Sequence, residues 1–194
     1  MKKLILSVLL IPAVFSAQQT VSRDAEIANY VSQVSADSLK SHINKLVSFG
    51  TRHTMSSTTD AKKGIGAARN WVLSKFKNYA KNTDGRMEVF LQSQTIQPDG
   101  KRINQSTDLG NAIAILRGTD PNDKRIFMIG GHLDSRVSDV MNNKDFAPGA
   151  NDDGSGVGAV IESARILSQS KFPATIIFVA FSGEEQGLLG AKML

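Results

Sequence analysis

The chain of 194 residues contains no cysteine. This absence excludes disulfide scaffolds, cysteine-ligated zinc ribbons, thiol proteases and iron–sulfur sites. Proline is also scarce, with five residues, while 41% of the chain is hydrophobic. That balance excludes collagen-like, low-complexity and disordered chains. A chain of this length and composition can bury a sizeable core as a globular domain.

The sequence has little excess of charge of one sign. It contains 23 Lys and Arg against 18 Asp and Glu, a formal net charge of +5. The basic residues are scattered, and no run of five or six like charges occurs along the chain. Proteins that bind nucleic acid usually concentrate basic residues in a patch or stripe, so we expect no nucleic-acid partner.

The amino terminus lacks an apolar run long enough to span a membrane. Lys2 and Lys3 precede a short apolar stretch from residue 4 to residue 15, and small residues follow at positions 16 and 17. A spanning helix needs about 20 apolar residues, so we expect no stable membrane anchor. The pattern predicts a signal peptide over residues 1–17 and a secreted or periplasmic product. Cleavage after Ser16 and cleavage after Ala17 both remain open.

The spacing of apolar residues predicts three helices. Steps of three and four residues indicate helices over Ala36–Phe49, about Asp60–Tyr79, and Val157–Leu167. Ser35 or Asp37 could cap the first helix, and the hydroxyl-rich segment Ser56–Thr59 could cap the second.

Four apolar segments predict strands, at Met87–Leu91, Ala112–Leu116, Arg125–Gly130 and Thr175–Phe181. The last two are continuous apolar runs, which are typical of central strands covered on both faces. Their order of strand, loop, helix and strand indicates a βαβ crossover, so we predict a parallel sheet with helices on both sides. Residues 97–107 are predicted to form a surface loop.

Polar side chains follow both apolar strands. His132 and Asp134 follow the first, the acidic pair Glu184 and Glu185 follows the second, and a glycine-rich loop with Asp152 lies between them. In parallel sheets, ligands bind at the edge where the carboxyl ends of strands meet. Imidazole nitrogen and carboxylate oxygen suit zinc, and a carboxylate can bridge two ions. The three segments together therefore predict a metal site.

Each segment alone also has a structural explanation. A single histidine after a strand is often only hydrogen-bonded, and Asp152 with Asp153 could form a turn or a helix cap. Two glutamates are also favourable in the first turn of a helix. The metal-site prediction thus depends on all three segments meeting at one sheet edge.

These segments carry a family resemblance. Gly130–Ser135, Ala147–Gly156 and Phe181–Leu188 resemble motifs of the co-catalytic di-zinc exopeptidases typified by bacterial secreted leucyl aminopeptidase. Leu46–His53 and Gly64–Ala68 are similar to the segment that precedes the sheet in the same proteins. The resemblance implies an α/β fold, a three-layer α/β/α sandwich around a mostly parallel mixed sheet of the phosphorylase/hydrolase-like type. Residues 18–194 would be the amino-terminal part of this zinc peptidase domain.

The resemblance also implies a role for each site residue. His132 would bind one of two zinc ions, Asp152 would bridge both, and Glu185 would bind the other. Glu184 would be the general base for a hydroxide that bridges the metals, and Asp134 would hold the imidazole of His132 in its working tautomer. The implied substrates are peptides, and the implied activity is an aminopeptidase that releases amino-terminal residues.

The family's two zinc ions take two further ligands, an Asp and a His, from strands that would come after Leu194. His42, on a predicted surface helix, and His53 do not match the missing histidine. We therefore expect that the chain is truncated at its carboxyl end and its sheet incomplete. We also expect that these 194 residues alone bind zinc weakly and are inactive.

Two other functions remain open. A glutaminyl cyclase-like acyltransferase would share the fold with a single zinc ion, and a non-catalytic homologue would only bind peptides. The intact Asn151-Asp152-Asp153 segment favours two metals over one. The glycines at 154, 156 and 158 have the wrong spacing for a dinucleotide loop, and neither Ser155 nor Ser182 lies in a Gly-x-Ser-x-Gly motif. The side-chain preference and the oligomeric state do not follow from the sequence.

Overall fold

The computed structural model describes residues 22–194. The predicted signal peptide over residues 1–17 lies outside the described residues. None of the helices within residues 22–194 combines the length and the apolar character that a membrane crossing requires.

The described chain folds into four helices and four strands. The helices are α1 (Ala25–Ser32), α2 (Ala36–Val47), α3 (Gly64–Ala80) and α4 (Ser155–Leu167), and the strands are β1 (Met87–Ile96), β2 (Thr107–Leu116), β3 (Ile126–His132) and β4 (Thr175–Phe181). Two short helical turns cover Ala150–Gly154 and Ala191–Met193. Every helix and strand predicted from the spacing is confirmed, with the largest boundary differences at the ends of β1, β2 and α3.

Local hydrogen bonds explain where the helices begin. The Ser35 hydroxyl accepts from the Ser38 N–H at 3.1 Å and caps α2, as predicted. Helix α3 begins at Gly64, later than predicted, because the Asp60 carboxylate accepts the N–H groups of Lys62 and Lys63 and holds a turn there. Helix α1 was not among the predicted helices; none of its residues is buried, and the Asp24 carboxylate caps it by accepting the N–H groups of Glu26 and Ile27.

The sheet is mixed, which confirms the predicted α/β class, but the parallel sheet expected from the βαβ crossover is limited to one pair of the described strands. Its strand order is β1-β2-β4-β3, with β3 and β4 parallel and the other two pairings antiparallel. Strand β4 is central, as predicted. Strand β3 is an edge strand of the described sheet, with Ile126 and Phe127 63% and 54% exposed, so the prediction that it is covered on both faces is wrong. The apolar sequence of a strand does not show which other strands pair with it, so its position at the edge could not be predicted.

The core lies between the sheet and two helices. Helix α3 packs on β1 and β2, helix α4 packs on β3 and β4, and the two helices contact each other. Phe76, Ile161 and Phe178 are fully buried in this core. The polar segments follow the carboxyl ends of β3 and β4.

Helix α2 packs on α4, which changes the expected position of one histidine. His42 was predicted to lie on a surface helix, but its side chain is buried, with Nε2 4.0 Å from the Glu162 carboxylate. The prediction is wrong because the inward face of α2 carries this polar residue along with Leu46. Burial lowers the pKa of His42 below its ordinary value.

Glu162 joins helix α4 to the start of α2. Its buried carboxylate accepts from the Ser35 N–H at 2.9 Å and from the Arg165 guanidinium at 2.7 and 2.9 Å. The hydrogen bonds from Arg165 lower the pKa of Glu162. Because the carboxylate is stabilised in the fold, Glu162 contributes stability above its ordinary pKa of 4.5 and loses that contribution as the pH falls through the lowered value.

We predict that Glu162→Gln lowers the free energy of unfolding at pH 7 by about 1–3 kcal/mol, the usual effect of losing charge-assisted hydrogen bonds. The difference from the wild type should shrink as the pH falls through the lowered pKa, because the carboxyl then becomes neutral. Urea unfolding at a series of pH values measures both effects. Glu26→Gln on the exposed helix α1 is the control, and equal stabilities of wild type and Glu162→Gln at pH 7 would contradict the prediction.

Candidate metal centre

The parallel pairing of β3 and β4 brings the predicted site segments to one edge of the sheet. The register pairs His132, the last residue of β3, with Phe181, the last residue of β4. Asp134 follows two residues after β3, and Glu184 follows three residues after β4. The loop that precedes α4 brings Asp152 to the same edge, since its carboxylate touches the His132 ring.

His132 and Asp152 form the closest pair. The distance from His132 Nε2 to Asp152 Oδ1 is 2.9 Å, and His132 Nδ1 lies 3.1 Å from the backbone oxygen of Asp134. A carbonyl oxygen can only accept, so Nδ1 carries a proton and Nε2 faces the carboxylate. Burial lowers the pKa of His132, but Asp134 and Glu184 outweigh it and raise the pKa overall. The pair is therefore arranged to share a cation, either a proton or a metal ion.

The two consecutive glutamates have different partners. Glu184 Oε2 lies 3.9 Å from His132 Nε2, and its side chain is 38% exposed. Glu185 Oε2 accepts from Arg136 Nε at 2.6 Å. One carboxylate is therefore near the imidazole and accessible to water, while the other is tied to a guanidinium.

Asp134 organises the turn that carries both glutamates. Its buried carboxylate accepts the N–H groups of Glu184 and Glu185, each at 3.1 Å, and the Thr54 hydroxyl at 3.0 Å. Burial raises the pKa of Asp134. Its contact with the imidazole of His132 is made by the backbone oxygen, while the carboxylate lies 3.9 Å from Nδ1. Asp134 thus fixes the ring through its backbone and the glutamate turn through its side chain.

Asp153 was not predicted as a site residue, and it joins β3 to α4. Its carboxylate accepts the N–H of His132 at 3.0 Å and the N–H of Gly156 at 2.9 Å. A Cβ atom at Gly131 would lie 2.9 Å from the backbone of Gly156, so glycine permits this close approach. The alternative that the Asp152–Asp153 pair caps a helix therefore holds for Asp153, which lies two residues before α4 begins. Asp152 and Asp153 therefore have separate roles, one facing His132 and one capping the helix.

Arg52 is a second residue that the sequence did not single out. Its fully buried guanidinium donates to the backbone oxygens of Leu133 and Pro148 at 2.7 Å, Gly149 at 2.9 Å and Leu46 at 3.2 Å. Burial lowers the pKa of Arg52 to about 10. One side chain thus fixes the end of β3 and the start of the loop that carries Asp152.

A third group, also not predicted, lies beneath the glutamate turn. The Thr54 hydroxyl contacts both Asp134 and the side-chain amide of Gln186. The Gln186 amide lies 3.2 Å from His53 Nε2, which also lies 3.1 Å from the backbone oxygen of Val140. His53 is fully buried, and burial lowers its pKa. These residues form a continuous buried polar chain behind Asp134.

The donor chemistry of the site fits zinc. Two ligands of a tetrahedral zinc ion lie about 3.3 Å apart, close to the spacing of His132 Nε2 and Asp152 Oδ1. The side chain of Asp152 is 80% exposed, and its second oxygen accepts no hydrogen bond within residues 22–194. Over the same residues, no three His, Asp or Glu side chains are close enough to hold an ion in their present positions. The ligand trio of His132, Asp152 and Glu185, and the number of ions, stay predictions.

Part of the chain matches a known peptidase family, and most of it is similar to a curated metalloprotease. Residues 111–194 match the family described as peptidase family M28. A probable zinc metalloprotease of Leptosphaeria maculans is 45% identical over 171 residues, which cover 88% of this chain and 39% of that protein. The chain therefore spans less than half the length of this curated relative.

Solved structures share the fold. The LapA aminopeptidase of Legionella pneumophila superposes with a TM-score of 0.65 at 22% identity, over all of this chain and 46% of that one. A glutaminyl cyclase of Tannerella forsythia superposes with a TM-score of 0.58 at 21% identity, over 77% of this chain and 47% of that one. Likeness at these identities shows the fold alone, and two different activities occur on it.

We predict that Arg52→Lys destabilises the protein by at least about 3 kcal/mol, because an ammonium group cannot replace the guanidinium fork that serves four carbonyl oxygens. Chemical unfolding of the chain measures the loss. Arg125→Lys, at a side chain that is 68% exposed, is the matched control and should change stability little. Equal losses for the two variants would show that Arg52 has no special structural role.

Proposed function

We propose that this chain, whose residues 111–194 match peptidase family M28, acts as a zinc-dependent exopeptidase that releases amino-terminal residues from peptides. The observation that carries the proposal is the His132–Asp152 pair beside the accessible carboxylate of Glu184, at the ends of two parallel strands. A pair that can share a metal ion next to a carboxylate that can move a proton is the combination that peptide hydrolysis needs.

In this proposal, three residues are metal ligands and one residue is the general base. His132 would hold one zinc ion, Glu185 would hold the other, and Asp152 would contribute to both. When bound, zinc polarises the substrate carbonyl and lowers the pKa of water. The hydrogen bond from Arg136 uses only Oε2 of Glu185, and Oε1 accepts no hydrogen bond within residues 22–194. Glu185 can therefore keep its contact with Arg136 while it binds a metal ion.

Glu184 is the proposed general base. Its backbone N–H is fixed by Asp134, while its carboxylate makes no hydrogen bond within the described residues and is partly exposed. The carboxylate can take a proton from the attacking water molecule and then return it to the departing amine. Asp134 contributes by holding Glu184 and Glu185 in orientations that separate their two roles.

Two alternatives remain as outcomes of the test. A single-zinc glutaminyl cyclase is favoured by the fold shared with the Tannerella forsythia enzyme, and a non-catalytic homologue would bind peptides without turnover. The fold shared with the Legionella pneumophila LapA aminopeptidase supports the exopeptidase proposal by analogy.

Zinc stoichiometry and product analysis of the full gene product that carries these residues would test the proposal. Two zinc ions per chain, with chelator-sensitive release of amino-terminal residues from peptides, are the expected result. One zinc ion with conversion of amino-terminal glutamine to pyroglutamate would replace it with the cyclase function. Peptide binding without zinc or turnover would replace it with the non-catalytic function.

We predict that Glu184→Gln in the full gene product slows turnover by about 10²–10⁴-fold, the usual contribution of a general acid–base group, and leaves the zinc content unchanged. Glu185→Gln should instead lower the zinc content, because it removes a proposed ligand charge. Metal analysis beside steady-state kinetics separates the two effects. Glu88→Gln, at a side chain that is 58% exposed on β1, is the control. Full turnover in Glu184→Gln would remove this residue from the role.

The 194-residue chain by itself should bind zinc weakly and show no turnover. Within residues 22–194 we assign three protein ligands to two ions, and catalytic zinc sites generally use three protein ligands for each ion. Calorimetric titration with zinc chloride measures the affinity, and His132→Ala should remove the remaining binding. Tight binding of two ions together with peptide hydrolysis would contradict the prediction.

A further inference from the structure

A cavity of about 330 Å³ lies beside the two glutamates of the site. Arg102, from the loop between β1 and β2, and Arg136, from the segment after β3, line it together with Glu184, Glu185, Gly187 and Leu188. Two guanidinium groups from distant parts of the chain therefore meet at the edge of the proposed active site.

Arg136 is held in a fixed orientation. Its Nε donates to Glu185 at 2.6 Å, and its Nη1 lies 3.2 Å from the backbone oxygens of Val137 and of Ser138. This arrangement balances the charge of Glu185. It also leaves Nη2 of Arg136 without a hydrogen bond to the part of the chain that the structure describes.

Arg102 is held by its own loop. The Asp99 carboxylate accepts the N–H groups of Lys101, Arg102 and Ile103, each at 2.8 Å, and Ile103 is buried. These hydrogen bonds lower the pKa of Asp99 to about 2, so the loop keeps this anchor at ordinary pH. The hydrogen bonds to Asp99 thus fix the backbone of Arg102, whose side chain lines the cavity.

The charge of Arg102 is not matched by a carboxylate. Its Nη1 donates to the backbone oxygen of Glu185 at 2.9 Å, and it forms no ion pair within residues 22–194. Arg136 already offsets Glu185, so among the described residues that line the cavity Arg102 is the cation without a carboxylate partner. An anionic group on a substrate would be repelled by Glu184 alone, and Arg102 supplies the opposite charge.

We propose that Arg102 and Arg136 form a subsite for a carboxylate of the peptide substrate. Guanidinium groups bind carboxylates through paired, charge-assisted hydrogen bonds, and both arginines keep unused donors. This inference rests on the proposed exopeptidase function and names its substrate class. The carboxylate belongs either to the carboxyl end of a dipeptide or to an acidic side chain, and the two sources are separable by experiment.

The test compares two pairs of peptides, and the members of each pair differ only in one carboxylate. Leu-Leu with its carboxyl-terminal amide, and Glu-Leu amide with Gln-Leu amide, are titrated into chelator-treated full gene product, which cannot turn them over, and binding is measured by calorimetry. The ratio of affinities between acid and neutral peptide is the readout. We expect Arg102→Gln to reduce this ratio by about tenfold or more, as the loss of a charge-assisted hydrogen bond would do. The reduction should fall on Leu-Leu if the subsite takes the chain end, and on Glu-Leu amide if it takes the side chain.

Two variants control the test. Lys101→Gln removes the same charge from the neighbouring residue, whose N–H is bound to the same Asp99, and should not alter the ratio. Arg102→Lys keeps the positive charge but lacks the paired N–H donors of the guanidinium group, and it should give an intermediate ratio. An unchanged ratio in Arg102→Gln, or an equal change in Lys101→Gln, would overturn the subsite. If the zinc-loaded wild type hydrolyses no peptide but the ratio still depends on Arg102, the proposed function fails and the subsite stands.

Discussion

Two buried side chains of opposite charge hold the site together. Arg52 donates to the backbone oxygens of Leu133, Pro148 and Gly149, and Asp134 accepts the N–H groups of Glu184 and Glu185. A buried charge is tolerated only where hydrogen bonds replace its hydration. Arg52 and Asp134 meet that condition by bonding to backbone groups of all three segments that form the site, and each also offsets part of the other's charge. The positions of the reactive side chains therefore depend on this pair.

The same frame keeps the reactive carboxylates free. Because Asp153 caps α4 and holds His132, its neighbour Asp152 needs no structural hydrogen bond and remains 80% exposed. Because Asp134 holds the backbone of Glu184, the Glu184 carboxylate is likewise left for chemistry. In both cases a buried acid fixes the chain, and an accessible acid is left for the proposed metal ion or substrate. In the Asp152 loop the two acids are neighbours in sequence, whereas at the glutamate turn the buried acid comes from the segment after β3.

The sequence predicted those parts of the molecule that follow from local pattern. The spacing of apolar residues located α2 and β4, and strand ends located His132, Asp152 and Glu184 at one edge. Contacts across long stretches of chain leave no such pattern: Arg52 bonds to a residue 81 positions away, and Thr54 to one 132 positions away. The partners of Arg52 are backbone oxygens, which every residue has, so no particular residue type in the sequence indicates where this arginine binds. For the same reason the burial of His42 could not be predicted, since it depends on which helix packs beside α2.

Arg136 links the proposed metal site to the proposed substrate site. A carboxylate has two oxygens, and the hydrogen bond from Arg136 at 2.6 Å uses only one oxygen of Glu185. Such a hydrogen bond orients a ligand carboxylate and leaves the other oxygen for a metal ion. Because Glu185 neutralises part of the charge of Arg136, this arginine would attract a substrate anion less strongly than an unpaired arginine would. In the proposed subsite, Arg102, a cation without a carboxylate partner in residues 22–194, would therefore supply most of the positive charge that a peptide carboxylate meets at this edge of the sheet.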